Sequence, residues 1–216
     1  MTTLSSSSSR PEAIWCPETQ TFKGGIVPHH SDTTLTIDEL LTCNGNKLKI
    51  FGYGSLCWHP GTDGVLSLAN IEQDEHDHDV LTSSSPSSSP RTKRKVTTAP
   101  GRAIGYRRCW AQRSADHRGD TEFNGIVCTL LSDEEFAELQ SDTGGGDQRQ
   151  PQRHQSMTEG LIYTVAKDLV QDCLAELDFR EKGGYARDTI DVIEDDTGEQ
   201  FKALLYRGTS ENPAFW

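Results

Sequence analysis

Short apolar runs recur along the chain from residue 48 onward, and several of them contain the β-branched residues that favour strands. Polar or turn-forming residues separate each run from the next. The runs predict six strands, at residues 48–53, 103–112, 125–131, 161–166, 189–194 and 201–206. A turn at 196–198 joins the last two.

Two segments carry helical signals instead. Ser132, with Glu135 three positions later, forms a capping-box pattern that predicts a short helix through Leu139. A second helix is predicted where apolar residues recur along one helical face, at Leu169, Val170, Cys173, Leu174 and Leu177. Six strands and two short helices predict an α+β domain around a mixed, barrel-like sheet.

Three segments lack such patterns. Residues 1–46 include a serine run and show no sustained periodicity, so we interpret them as a flexible N-terminal extension. Two inserts, at about 72–99 and 142–157, have a composition that cannot bury enough apolar surface to become ordered. The sequence therefore predicts one folded domain at 47–216 that carries two disordered inserts.

Composition narrows the classes of function. The formal net charge of -12 argues against nucleic acid and anionic membrane as partners, since both favour a basic surface. No apolar run is long enough to span a membrane and the first thirty residues lack a signal core, so we expect a cytoplasmic protein. The six cysteines contain no Cys-x-x-Cys pair, and we expect reduced thiols and no zinc site.

The turn after the first predicted strand is the first candidate for chemistry. Gly52-Tyr53-Gly54-Ser55-Leu56 can turn tightly and direct several N–H groups into one hollow, which would bind a carboxylate, a phosphate or an oxyanion. A dinucleotide fingerprint would need a third glycine where Cys57 stands, so that interpretation fails. Taken alone, the pattern favours an ordinary turn at the end of a strand.

Other candidates are weaker when each is taken alone. Glu181 lies where the second predicted helix ends, and a single charged residue there is usually solvated. Cys57 and His59 would share one face of an extended chain, but no acid is indicated to orient the histidine. His76 and His78 lie in a polar tract that favours disorder over a metal site.

Six stretches, in this order, resemble the ChaC family of γ-glutamylcyclotransferases. They are FGYGSLCWHP at 51–60, GYRRCWAQRSADHRG at 105–119, NGIVCTLL at 124–131, EGLIYTV at 159–165, LDFREKGGY at 177–185 and ALLYRGTSENPAF at 203–215. The resemblance extends over most of 48–215 apart from the two inserts. Each motif alone is weak, but the ordered series is specific, and it reverses the ordinary interpretation of the turn and of Glu181.

The resemblance implies a γ-glutamylcyclotransferase-like fold, a small mixed barrel with flanking helices. It implies that Glu181 is the catalytic acid–base residue, and that reduced glutathione is cleaved to 5-oxoproline and Cys-Gly without a metal or an organic cofactor. It also implies a substrate-binding loop that cradles the γ-glutamyl group, made of Gly52, Tyr53, Gly54, Ser55, Leu56 and Cys57.

Two departures from the family bear on these expectations. Cys57 stands where aliphatic residues are usual, so we expect it to be tolerated and to bring redox sensitivity. Relatives continue past the position that matches Trp216 with a final helix, so we expect lower stability if that helix completes the core. Two alternatives stay open: action on other γ-glutamyl amines or amino acids, and a non-catalytic interaction protein on the same fold.

Overall fold

The computed structural model describes residues 13–16, 21–24, 29–30, 34–61, 64–69, 95–120, 122–142, 155–181 and 183–216. The described strands are β1 (Ala13–Cys16), β2 (Thr21–Gly24), β3 (His29–His30), β4 (Lys47–Gly52), β5 (Val96–Ile104), β6 (Tyr106–Gly119), β7 (Asn124–Ser132), β8 (Met157–Ala166), β9 (Ala186–Glu194) and β10 (Gln200–Arg207). The described α-helices are α1 (Ile37–Cys43), α2 (Asp133–Asp142) and α3 (Val170–Arg180). Short 3-10 helices lie at Ser55–Cys57, Val65–Ala69 and Lys167–Leu169.

Five strands close a barrel in the order β10-β4-β8-β5-β9, because β9 also pairs with β10. Four of the five pairings are antiparallel, and β4 with β10 is parallel. Strand direction cannot alternate all the way round a ring with an odd number of strands, so one parallel pair is unavoidable. β3 pairs with β9 in parallel, and β6 with β7 forms a separate antiparallel hairpin. The predicted α+β fold with a mixed barrel is confirmed.

The core divides between the two faces of the barrel strands. Along β10, Leu204 and Tyr206 enter one hydrophobic cluster, while Ala203 and Leu205 enter the other. This separation follows from the two-residue period of a strand. The first cluster contains the buried face of α3 and the second contains Leu130 of β7, so helix and hairpin pack on the barrel through different residues.

The six predicted strands and both predicted helices are present, with one correction to the strands. Residues 103–112 are not one strand, since β5 ends at Ile104 and β6 begins at Tyr106. Gly105 between them has φ +79°, a left-handed conformation that breaks the strand. The predicted capping box of α2 is confirmed, because Glu135 N–H donates to Ser132 Oγ at 3.1 Å and Ser132 N–H donates to Glu135 Oε2 at 2.8 Å.

The predicted extent of the unstructured segments was wrong at three boundaries. α1 lies inside the supposed extension, where Thr36 and Glu39 form its capping box and Leu40 is fully buried. A helix of seven residues has too few apolar repeats to show periodicity. β5 begins at Val96 and β8 at Met157, so the ends of both inserts belong to the barrel. The remainder of the inserts, 72–94 and 143–154, lies outside the described residues.

No helix in the described part of the chain is long and apolar enough to cross a membrane.

Candidate active site

A cavity of about 430 Å³ opens between the turn after β4, the end of α3 and the β6–β7 hairpin. It brings together segments that are far apart in the sequence. Its lining residues are Phe51, Tyr53, Gly54, Ser55, Leu56, Trp58, His59, Trp110, Arg118, Val127, Cys128, Arg180, Glu181, Tyr185 and Tyr206. The turn and Glu181, which the sequence singled out separately, therefore lie on the walls of the same cavity.

The turn leads from the end of β4 at Gly52 into a 3-10 helix at Ser55–Cys57. Cys57 N–H donates to Gly54 O at 2.9 Å, and the buried Tyr163 hydroxyl donates to Leu56 O at 2.6 Å, which fixes the turn on β8. The N–H groups of Ser55 and Leu56 come before the first hydrogen bond of the turn and have no acceptor among the described residues. They remain available to an anion in the cavity.

Gly52 and Cys57 shape the turn but do not line the cavity. A β-carbon on Gly52 would lie 2.8 Å from Leu56 Cβ, so only glycine allows the turn to fold back this closely. The Cys57 thiol donates to Gly52 O at 3.1 Å. Of the six residues predicted to bind substrate, four face the cavity and these two support them.

Glu181 is the residue at which α3 ends. Its N–H donates to Leu177 O at 2.8 Å, and the loop that follows reverses at Gly184, where φ is +77°. The apolar face of α3, which includes Cys173 and Leu177, is buried against the barrel and sets the position of the helix end. The Glu181 side chain is only 11% exposed, so its carboxylate lies in the cavity wall instead of the solvent.

A buried polar network holds the last turn of α3 on the barrel. Asp178 accepts hydrogen bonds from the guanidinium of Arg187 in β9, and it accepts one at 2.7 Å from the Tyr206 hydroxyl of β10. Arg187 Nε also donates to the Tyr206 oxygen at 3.0 Å. Because buried charges are costly unless they are paired, this network fixes the angle of α3 three residues before Glu181.

Arg180 links Glu181 to the turn. Its Nη2 donates to Ser55 Oγ at 2.8 Å, and its Nε lies 3.3 Å from Glu181 Oε1. Both side chains of this ion pair are mostly buried, with 18% and 11% exposed. Arg180 and Tyr185 stand in the same sequence motif as Glu181, and that proximity was the available signal for two residues that the sequence analysis did not assign to the site.

Two tyrosines face the same carboxylate. Burial raises the pKa of Tyr53 well above its usual value, and the nearby Tyr185 and Glu181 raise it further. Burial also raises the pKa of Tyr185, with the charge of Glu181 as the next cause. Both hydroxyls therefore keep their protons at neutral pH.

The open side of the cavity carries residues of a different character. Trp58 and Trp110 are each 67% exposed although they line the cavity. His59 and Arg118 add a titratable and a cationic group, and Cys128 adds a thiol whose pKa burial raises. Sequence analysis missed this rim, since only the packing of the β6–β7 hairpin on the barrel brings it beside the glycine turn.

The arrangement is suited to acid–base chemistry on a small ligand. It offers one shielded carboxylate, a guanidinium beside that carboxylate and unpaired backbone donors. Within the residues that the structure describes, no group of three or more His, Cys, Asp or Glu side chains is placed to hold a metal ion.

Comparisons with known proteins agree with this geometry. The family model described as ChaC-like protein matches residues 92–216. The chain is 29% identical over 171 residues to glutathione-specific gamma-glutamylcyclotransferase 1 of Rattus norvegicus, and to the Homo sapiens protein of the same name, with 78% of this chain and 54% of each relative covered. The Schizosaccharomyces pombe glutathione-specific gamma-glutamylcyclotransferase is 26% identical over 179 residues, covering 78% of this chain and 66% of that protein.

Solved structures support the fold. A selenomethionine-labelled yeast gamma-glutamylcyclotransferase specific to glutathione has a TM-score of 0.55 at 20% identity, covering 79% of this chain and 72% of that one. A second structure of the yeast enzyme has a TM-score of 0.51 at 19% identity, covering 78% and 73%. The chain spans about half the length of its rat and human relatives. Its barrel has the γ-glutamylcyclotransferase-like architecture, and the chain belongs to the ChaC-like protein family.

Proposed function

We propose that this chain is a glutathione-specific γ-glutamylcyclotransferase, which converts glutathione into 5-oxoproline and Cys-Gly. The observation that carries the proposal is the shielded carboxylate of Glu181 in the same cavity as the glycine turn Tyr53–Leu56. The names of the mammalian and fission-yeast relatives, which specify glutathione, support the choice of substrate.

The reaction is an internal displacement. The α-amine of the γ-glutamyl group attacks its own γ-carbonyl carbon and closes a five-membered ring, while the bond from that carbon to the cysteine nitrogen breaks. Holding the substrate in a folded conformer can give such an attack an effective molarity of about 10⁵ M or more. A cavity of about 430 Å³, the size of a small ligand, provides that constraint.

Glu181 acts as the general acid–base in this proposal. The α-amine is an ammonium ion in solution and must lose a proton before it attacks. The Glu181 carboxylate accepts that proton and delivers it to the departing amine of Cys-Gly. Ring closure removes a second proton from the attacking nitrogen by the same route, so Cys-Gly leaves as an ammonium ion and the carboxylate is regenerated. General acid–base catalysis of this kind contributes roughly 10²–10⁴-fold to the rate.

The backbone donors of the turn act on the carbonyl. As the amine attacks, negative charge develops on the γ-carbonyl oxygen. The unpaired N–H groups of Ser55 and Leu56 are suited to stabilise that charge, because they are fixed by the turn before the reaction begins. Tyr53 and Tyr185 line the same cavity, and their neutral hydroxyls add no charge to it.

Incubation of the purified protein with reduced glutathione tests the proposal. We expect 5-oxoproline and Cys-Gly in equal amounts by mass spectrometry, with γ-glutamyl-alanine turned over much more slowly. Glutathione incubated without protein is the control for spontaneous cyclisation. Preference for γ-glutamyl-alanine would favour a cyclotransferase for other γ-glutamyl compounds, and no product from either would favour a non-catalytic role.

We also propose that the protein works in the cytosol, where thiols are kept reduced and its substrate is available. It needs no nucleic acid or membrane partner for this reaction.

A further inference from the structure

Arg180 has hydrogen-bonding capacity that the protein does not use. A guanidinium carries five N–H groups, and one of those on Nη2 donates to Ser55 Oγ. Nε is buried without a hydrogen-bond acceptor among the described residues, since its 3.3 Å approach to Glu181 Oε1 lacks hydrogen-bond geometry. Nη1 also has no partner in the described part of the chain. Buried polar groups are nearly always satisfied, so unfilled donors on a cavity wall call for a ligand.

The cavity wall presents one positive and one negative side chain next to each other. Arg180 carries a fixed positive charge, and the Glu181 carboxylate lies next to it. The γ-glutamyl end of glutathione has the complementary pattern, because its α-carbon bears both a carboxylate and an ammonium group. A planar guanidinium is well suited to bind a carboxylate through two parallel hydrogen bonds.

We propose that Arg180 binds the α-carboxylate of the γ-glutamyl group and so places the α-ammonium against Glu181. This inference rests on the proposed function and gives it a specific mode of substrate recognition. Ser55 sets the orientation of the guanidinium by accepting its Nη2 hydrogen bond. The Ser55 and Leu56 N–H groups are then left for the γ-carbonyl oxygen, so each polar group of the substrate has a distinct partner.

A purely structural role for Arg180 makes a different prediction. If the side chain only ties α3 to the turn, its loss impairs every substrate to the same extent. If it binds the α-carboxylate, its loss impairs only substrates that have this group. A pair of substrates that differ in the α-carboxylate alone therefore separates the two roles.

The test compares glutathione with 4-aminobutanoyl-Cys-Gly, which has the amine and the γ-carbonyl but no α-carboxylate. Attack of its amine would release Cys-Gly and form 2-pyrrolidinone. We expect Arg180→Gln to lower kcat/KM for glutathione by about 10- to 100-fold and to leave the slower cyclisation of the analogue within about threefold. Arg180→Lys, which keeps the charge but not the planar fork, should be intermediate.

Both substrates are measured on one preparation, so their ratio does not depend on the folded fraction. The control is Arg102→Gln, an exposed arginine that pairs with Asp195 outside the cavity, and it should leave the ratio unchanged. An equal loss on both substrates would overturn the proposal, because it would show that Arg180 acts only on the structure.

Binding separates this proposal from the proposed function. Glutathione and the analogue are titrated by calorimetry into Glu181→Gln and into the Arg180→Gln/Glu181→Gln double variant. We expect the added Arg180→Gln change to weaken the binding of glutathione by about 10-fold or more and to leave the binding of the analogue almost unchanged. If the native protein forms no 5-oxoproline, the proposed function fails while this selectivity still supports the role of Arg180. Failure of glutathione to bind the protein with Arg180 intact overturns that role.

Discussion

The side-chain amide of Asn212 donates hydrogen bonds to the backbone carbonyls of Gly184, at 2.9 Å, and Gly183, at 3.1 Å. It therefore ties the segment after β10 to the loop that follows Glu181. The same side chain accepts from Ala214 N–H at 3.0 Å, so both ends of its amide are used. The segment is fixed in turn on β6, because Arg113 N–H donates to Ala214 O at 2.8 Å.

Replacement of Asn212 should loosen this connection. Asn212 is 6% exposed, and Asn212→Ala removes three hydrogen bonds from a site with little access to water. We expect the free energy of unfolding to fall by about 2 kcal/mol or more, measured by urea denaturation. Asn44→Ala is the control, since its single 2.7 Å bond to Lys202 O is exposed and should contribute less. Equal midpoints for the two variants would contradict the prediction.

Glu181→Gln tests the proposed acid–base residue. Glutamine keeps the shape of the side chain but cannot accept the ammonium proton. We expect turnover of glutathione to fall by at least ~10², with affinity much less affected. Activity within a few-fold of the native protein would contradict this role.

A control for Glu181→Gln needs a glutamate that supports neither the cavity nor the fold. Glu176 lies on the same helix, but its carboxylate accepts a 2.6 Å hydrogen bond from Val65 N–H and so holds a 3-10 turn in place. Glu138 on α2 is exposed and does not line the cavity. Glu138→Gln should therefore retain full activity and stability.

Gly54 is constrained by space and not by its backbone angle. Its φ is -119°, whereas a β-carbon would lie 3.2 Å from the Sγ atom of Cys128 in β7. We expect Gly54→Val to fold, as judged by circular dichroism, and to lose at least about 100-fold in kcat/KM, because misplacement by about 1 Å can have this effect. Gly54→Ala should lose less of its kcat/KM than Gly54→Val.

A second substitution tests the cause of that loss. Cys128→Ala removes the atom that the new β-carbon would meet, so it should restore part of the activity of Gly54→Ala. If it restores none, the contact with Cys128 is not what requires glycine at this position.

The sequence was informative where one residue pattern decides the local structure. The apolar face of α3 and the Ser132–Glu135 capping box predicted helices that the structure contains. Glu181 alone carried no such signal, because a charge at a helix end is usually solvated, and only the ordered resemblance raised its priority. Its 11% exposure depends on the packing of α3, the turn and the hairpin, which are distant in sequence.

Other features could not be predicted because they depend on how the hairpin and α3 pack on the barrel. The rim formed by Trp58 and Trp110 joins the turn after β4 to the middle of β6. Arg180 contacts Ser55, which precedes it by 125 residues, and this contact exists only in the folded protein. The same holds for the burial that leaves Arg180 Nε without an acceptor among the described residues. Local periodicity contains no information about such pairings.

The thiol of Cys57 should be unreactive, contrary to the redox sensitivity expected from the sequence. Burial raises its pKa, which the positive charge of Arg108 only partly offsets, so little thiolate is present at neutral pH. We expect iodoacetamide to label the exposed Cys43 faster than Cys57, which should react slowly and at a rate that rises with pH. Mass spectrometry of the labelled peptides measures both rates. Rapid labelling of Cys57 at neutral pH would contradict the prediction.

The boundary of the first insert can be tested with two replacements that differ by five residues. One variant replaces residues 72–94 with a short Gly-Ser loop, and the other replaces 72–99. Val96 is 4% exposed and pairs with Val165, and Lys95 O accepts from Ala166 N–H at 2.8 Å. The longer replacement therefore removes residues 96–99, which are the start of β5.

We expect the shorter replacement to change the free energy of unfolding by less than about 1 kcal/mol, because loop closure costs only about 0.6 kcal/mol per doubling of length. The longer one should lose about 3 kcal/mol or more, through exposure of Val96 and loss of its ladder with β8. Urea denaturation and glutathione turnover measure both effects. Equal destabilisation by the two variants would show that residues 72–94 contribute to the fold, and equal stability would show that the start of β5 is dispensable.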